Sequence, residues 1–233
     1  MKSLLIVGLP RSLTSKSYKI ASTCLLHELK ESGANAGEIL NYYPIPPEGP
    51  VPDEKIFYTK NKEDIKEMAK YAVRFSTSRI VKDVVQPYAV KHIRSYYKDR
   101  FNILWIDRML QDVVYSMINR NWWYPLRNID LDLFSKAEAL REGDQVSDTI
   151  ITGMLGSMKD AREIYQGLPK ISYWNILHET DTIPEALRGM GYSPNPFNYI
   201  TEGFRRTRAE KLNARNTQLW HRINAMYRTL SSR

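Results

Sequence analysis

The sequence predicts an α/β protein in which a parallel β-sheet is flanked by helices on both faces, as a single domain over residues 1–233. Three observations point there. Apolar or β-branched runs at Leu4–Val7, Arg79–Val85 and Phe101–Ile106 each lead into a stretch with helical periodicity, and strand and helix alternating at this spacing require parallel strands with both faces covered. The connection after the first run, Gly8-Leu9-Pro10-Arg11-Ser12-Leu13-Thr14-Ser15, carries the glycine and proline of a tight turn and opens directly onto a helix. Hydrophobic residues are 42% and charged residues 26% of the 233, enough apolar mass for a sizeable core in one domain.

Along the chain, Leu4–Val7 is the first strand and Lys16–Glu31 an amphipathic helix. Gly33 and Gly37 end that helix, and an extended piece runs on through Tyr43. Pro44, Pro46, Pro47, Pro50 and Pro52 make the next segment too proline-rich for regular structure, so it reads as a surface loop and a candidate lid. From Asn61 to Phe75, the positions of Ile65, Met68, Ala69, Ala72 and Val73 have helical spacing. The β-branched run Arg79–Val85 precedes a helix over Tyr88–Tyr97, and the strand Phe101–Ile106 precedes one from Met109 to Asn121. Leu131–Tyr165 is helical in pattern, and Lys170–Tyr173 is a last short strand. Pro184 suits the first turn of a helix through Arg188. The tail from Glu202 to Leu230 alternates apolar and basic residues at helical spacing, a face that would allow a homodimer. No repeat, linker or second domain interrupts this order.

A net charge of +8 and a pI near 9.4 attract anions. Nucleic acid, an acidic membrane surface and a polyanionic small molecule would each satisfy that charge. Its densest run, Arg205, Arg206, Arg208, Lys211 and Arg215, has the composition of a solvated helix face. No apolar run approaches the ~20 residues of a membrane helix, and the N-terminal run lacks the small-residue cleavage site of a signal peptide. The single cysteine, Cys24, sits in the apolar rhythm of the first helix, so no internal disulfide and a reducing, cytoplasmic setting are expected. No His, Cys and carboxylate residues are spaced as metal ligands, and no metal is expected.

The loop after the first strand is where chemistry concentrates. Loop amides and the positive end of a helix dipole converge there, which favours a phosphate or sulfate. Arg11 adds charge and a planar fork; Ser12, Thr14 and Ser15 add hydroxyls. A nucleoside-triphosphate loop, G-x-x-x-x-G-K-[ST], would need glycine and lysine where Leu13 and Thr14 stand. A P-loop kinase is therefore the weaker reading.

Pro10-Arg11-Ser12-Leu13-Thr14-Ser15 resembles the P-[KR]-S-G-T-[ST] loop of the PAPS-dependent sulfotransferases, with Leu13 in place of the usual glycine. Ile103–Ser116, running Ile103-Leu104-Trp105-Ile106-Asp107-Arg108 and on through Asp112-Val113 to Ser116, resembles the family's second motif, an apolar strand followed by R-[DN]-P-x-D-V-x-x-S. The resemblance implies a three-layer P-loop sulfotransferase architecture. It implies transfer of a sulfuryl group from PAPS (3′-phosphoadenosine 5′-phosphosulfate) to a hydroxyl or amine of a small-molecule acceptor, leaving PAP, without a metal. The first motif would hold the 5′-phosphosulfate, and Arg108 with Ser116 the 3′-phosphate. Lys82, in Ile80-Val81-Lys82-Asp83, looks like the family's strand lysine and would assist Arg11 in transfer; Val84 stands where one branch of the family has its histidine base. Tyr173 is similar to the tyrosine near the adenine, and Arg205 and Arg206 to a late basic clamp. Glu38, in Gly37-Glu38-Ile39-Leu40-Asn41-Tyr42, resembles the G-x-x-E-[FY]-F piece that carries the general base in some bacterial carbohydrate sulfotransferases. His27, His92, His178 and Asp83 are the other candidates for that base. Asn121-Trp122-Trp123-Tyr124-Pro125 would either line an acceptor pocket or pack as core. A third reading, a basic nucleic-acid binder, leaves two ordered oxyanion motifs unexplained.

Overall fold

A computed structural model describes residues 2–31, 60–75, 80–82, 87–127, 129–141, 145–196 and 202–232. Glu38, Asp83 and the proline-rich segment 44–52 lie outside the described residues. Strand β1 (Ser3–Gly8) leads into helices α1 (Thr14–Cys24) and α2 (Leu26–Glu31); α3 (Lys62–Phe75), β2 (Ile80–Lys82), α4 (Pro87–Tyr96) and β3 (Phe101–Asp107) follow. Then come α5 (Leu110–Ile118), α6 (Tyr124–Arg127), α7 (Leu131–Glu138), α8 (Asp148–Ile164) and β4 (Lys170–Ser172). The chain continues through α9 (Tyr173–His178), α10 (Thr182–Gly189), α11 (Glu202–Ala214) and α12 (Gln218–Ser231). The protein is thus mixed α/β. Among the described residues, no helix is long and apolar enough to cross a membrane.

All strand pairs are parallel, in the order β2-β1-β3-β4. β1 lies between two neighbours, which is why Leu4, Leu5, Ile6 and Val7 are apolar without alternation and all fully buried. Leu4 and Ile6 join one core with Leu104, Ile106, α1, α9 and α10. Leu5 and Val7 join the other with Phe101, Ile103, Trp105 and the buried faces of α3, α4, α5, α8 and α12. Helices therefore cover both faces, and the period of two along each strand sorts side chains between them. On α8, Ile150, Ile151, Met154, Leu155, Met158 and Ala161 recur at helical spacing and are buried.

The expected single helix over 16–31 begins earlier, at Thr14, and divides at Leu25; 131–165 and 202–230 likewise divide into two helices each. Caps mark the new starts. Ser147 accepts from the Ile150 amide at 3.4 Å and Thr217 from that of Trp220 at 3.3 Å. Tyr173 opens α9 instead of closing the last strand, because the Ser172 hydroxyl accepts from the Trp174 amide at 3.2 Å.

Cys24 is 1% exposed in the α1 core, and burial pushes its thiol up to about 11 from 9.0. The folded chain keeps it neutral while the unfolded chain ionises first, so its contribution is complete below pH 9 and is lost as pH rises towards 11. Parent protein should lose about 2 kcal/mol more than Cys24→Ala over that interval in urea titrations. Parallel curves for the two proteins would refute the assignment.

Candidate functional site

The chain leaves β1 towards β2 on one side of the sheet and later returns to lay β3 on the other. The carboxyl ends of β1 and β3 thus border the crevice where open α/β sheets bind ligands. Gly8 is required there. A Cβ on it would lie 2.9 Å from Thr14 Cγ2 and 3.0 Å from the Ile106 carbonyl oxygen, so only glycine lets the loop turn against β3.

In the loop, Arg11 has φ 64° and Leu13 φ 62°, both left-handed. Leu13 holds the N-cap of α1 in that conformation, with no side-chain cap and no acidic residue in the first turn. The positive end of α1 thus carries neither a capping side chain nor an acidic residue of its own. Leu13 takes up the backbone shape a glycine adopts freely, at a cost of about 1–2 kcal/mol. Leu13→Gly is accordingly expected to change stability by no more than about 1 kcal/mol, where truncating an ordinary buried leucine costs about 2–5 kcal/mol. Leu13→Val, β-branched in the same conformation, should be clearly less stable than either. Urea denaturation decides, and a loss of 3 kcal/mol or more in the glycine variant would show that packing outweighs strain.

From the end of β3, Arg108 reaches across. Its Nη1 donates to the Arg11 carbonyl at 2.5 Å, and its guanidinium lies 4.4 Å from the ring centroid of Tyr173. Arg11 in turn donates from Nε to Ser116 Oγ at 3.3 Å and sits 5.3 Å from the Trp122 ring centroid. The two sequence motifs therefore meet side chain to side chain. Arg108 is 3% exposed and Ser12 fully buried, yet among the described residues Arg108 Nε and Ser12 Oγ have no hydrogen-bond partner, nor does Ser17 Oγ on the first turn of α1.

Charge is equally unbalanced. Among the described residues neither Arg11 nor Arg108 forms an ion pair, whereas Arg162, Arg215 and Arg222 each have one. Burial lowers the Arg108 pKa, with Arg11 and Arg215 adding to the effect against Tyr173 and Asp112. Burial and then Arg120 lower that of Arg11. Lys211 on α11 is lowered by burial, Arg108 and Arg11. Cations thus gather here against Asp112 and Glu210, with buried donors left unmet, an arrangement able to accept an oxyanion.

Of the expected residues, Pro10, Ser12, Thr14, Arg108, Ser116 and Tyr173 are buried here, and Arg11, Leu13 and Ser15 are half-buried. Tyr173, 1% exposed beneath Arg108, braces that guanidinium, and its ring is closed to a stacking base. Lys82 ends β2 in register with Ile6, near the same carboxyl edge of the sheet. Arg205 and Arg206 are exposed, and Arg206 pairs with Glu210 at 3.9 Å on its own helix, so neither joins the cluster; Lys211 does. Phe204, Thr207, Lys211 and Ala214 follow one inner stripe of α11, a spacing that marks Lys211 and leaves Arg205, Arg206 and Arg208 outside. Trp122 stands at the site beside Arg11, whereas Trp123 is core. His27 is exposed and lies 3.5 Å from Glu31; His92 stacks on Tyr96 and His178 is exposed, so none reaches Arg11. Among the described residues no group of three or more His, Cys, Asp or Glu is placed to hold a metal.

Asp112, 4% exposed on α5, went unassigned in the sequence. It receives Arg215 Nε at 3.2 Å and Nη2 at 2.7 Å, and Trp220 Nε1 at 2.9 Å. Arg215 lies between the rings of Trp174 and Trp220, at 4.6 and 5.9 Å. This carboxylate fixes the turn between α11 and α12, just beyond Lys211. No family model, curated protein or solved structure matches this chain.

Proposed function

We propose that this protein is a sulfotransferase of P-loop sulfotransferase architecture, moving a sulfuryl group from PAPS to a hydroxyl or amine of a small acceptor and leaving PAP. The single observation that carries the reading is the contact between Arg11 and Arg108. The Arg108 guanidinium closes on the Arg11 backbone carbonyl, so the two arginine-bearing loops meet, with neither arginine in an ion pair among the described residues and with the buried Arg108 Nε unmet, an arrangement that suits an oxyanion-bearing donor.

In this reading PAPS supplies the transferable group. Arg11, the α1 amides, Thr14 and Ser15 hold the phosphosulfate end and offset charge gathering on the oxygen that leaves with PAP. Arg108, Ser116 and Lys211 hold the 3′-phosphate, and Lys82 assists from β2. The sulfur–oxygen bond to the 5′-phosphate breaks as one forms to the acceptor, whose proton passes to a base, Glu38 in this proposal. Trp122 walls the acceptor side.

Adenosine 3′,5′-bisphosphate should raise the melting temperature without magnesium, and Arg11→Ala should remove most of that rise and lower transfer about a hundredfold. Transfer is read by mass spectrometry as a sulfo increment on a metabolite panel. Stabilisation by ATP with magnesium alone would favour a kinase, and salt-sensitive oligonucleotide binding alone a nucleic-acid protein. Parent-like transfer and affinity in Arg11→Ala would remove Arg11 from the mechanism.

A further inference from the structure

A cavity of about 740 Å³ opens on the face of the sheet opposite Tyr173, at the margin of the core that contains Trp105. Leu168, Pro169 and Tyr227 supply its open apolar surface, backed by the buried Trp105 and Leu110; Lys159, Arg162 and Lys170 bring cations. None of Arg11, Arg108 and Ser116 lines it. Its size is that of a small-molecule site.

The cations differ in how far they are committed. Arg162 Nη2 donates to both oxygens of Asp107, at 2.9 and 3.1 Å, and is neutralised. Lys170 reaches the same carboxylate only at 3.8 Å, with its side chain 60% exposed. Lys159 has a marginal 3.5 Å bond to the Leu230 carbonyl and no ion pair among the described residues. One further carboxylate, Glu163, shares the wall. Two loosely held ammonium groups against one such carboxylate leave a cationic rim. Lys170 Nζ also lies 5.5 Å from the centroid of the Trp105 ring, which is 4% exposed and backs the cavity, while the part-exposed Tyr227 brings an aromatic side chain to the same wall. A ligand matching both needs an acidic group for the lysines and a flat apolar body to lie against Tyr227, Leu168 and Pro169.

We propose that this cavity is a second binding site, separate from the oxyanion site, for a small organic anion with a planar apolar body, an aromatic carboxylate being the simplest kind. Titration calorimetry on the full chain uses 1-naphthoate, with neutral 1-naphthalenemethanol as its isostere, each with and without saturating adenosine 3′,5′-bisphosphate. Naphthoate is expected to bind saturably, about tenfold tighter than the alcohol, and undisturbed by the bisphosphate. Lys159→Ala with Lys170→Ala should weaken it about tenfold. Both lysines are on the surface, and an unchanged circular dichroism spectrum checks the fold of the variant. Absence of saturable binding, equal affinity for the alcohol or full affinity in the double variant would overturn the proposal. Displacement by bisphosphate would place naphthoate in the oxyanion site and overturn it too. Naphthoate binding as described in a protein that ignores the bisphosphate would retain this site and dismiss the sulfotransferase reading alone.

Discussion

Arg108→Met should weaken adenosine 3′,5′-bisphosphate binding by about a hundredfold or more, while the unliganded protein melts no lower than the parent. The first half follows from the donors. Arg108 Nε is buried and unpaired, so a phosphate oxygen received there makes a charge-assisted bond in a desolvated place. Such bonds contribute about 1.5–3 kcal/mol each, and the guanidinium can offer more than one. The second half follows from the charge. Without an anion, Arg108 is a desolvated cation pressed by Arg11 and Arg215, opposed by the π-face of Tyr173 and by Asp112. Methionine keeps the length of the side chain and removes the charge. Calorimetric titration and calorimetric melting read the two halves. Parent-like affinity would dismiss Arg108 as a phosphate ligand, and a large fall in melting temperature would make it a structural residue.

Asp112→Ala should be the most destabilising substitution at the site, by about 3 kcal/mol. The carboxylate is buried and holds two nitrogens of Arg215 and the indole of Trp220. Its loss strands a cation packed between two indoles, and the part-exposure of Arg215 places the effect at the lower end of the range for broken buried pairs. Bisphosphate affinity should fall as well, because the turn that follows Lys211 loses its anchor. Asp112→Asn, which keeps an acceptor for Trp220, should lie between. A double-mutant cycle with Arg215→Ala isolates the pair; a coupling near zero would mean that the packing of Trp220 alone holds the turn.

Sequence reading captured what is contiguous. β1, its loop and α1 are one unbroken pattern of apolar run, glycine and hydroxyl cluster, so their placement followed from spacing. Arg108 and Ser116 were singled out because they belong to one contiguous strand–helix segment. Lys211 was hidden for a physical reason: a run of five basic residues looks alike on every side until Phe204 shows which side is inward. The Asp112–Arg215 pair joins residues 103 positions apart, and no local pattern reports such a contact. The left-handed Leu13 was equally invisible, since its side chain gives no hint of a backbone shape that glycine would have announced.

Among the described residues, the sheet's two outer strands, β2 and β4, run three residues each, beside inner strands of six and seven. So short a border offers an incoming chain few free amides to copy, and the long oily strands stay walled between their neighbours. Edge-to-edge growth from the native state therefore finds few starting rungs along these described borders, and the long inner strands become templates only once unfolding uncovers them.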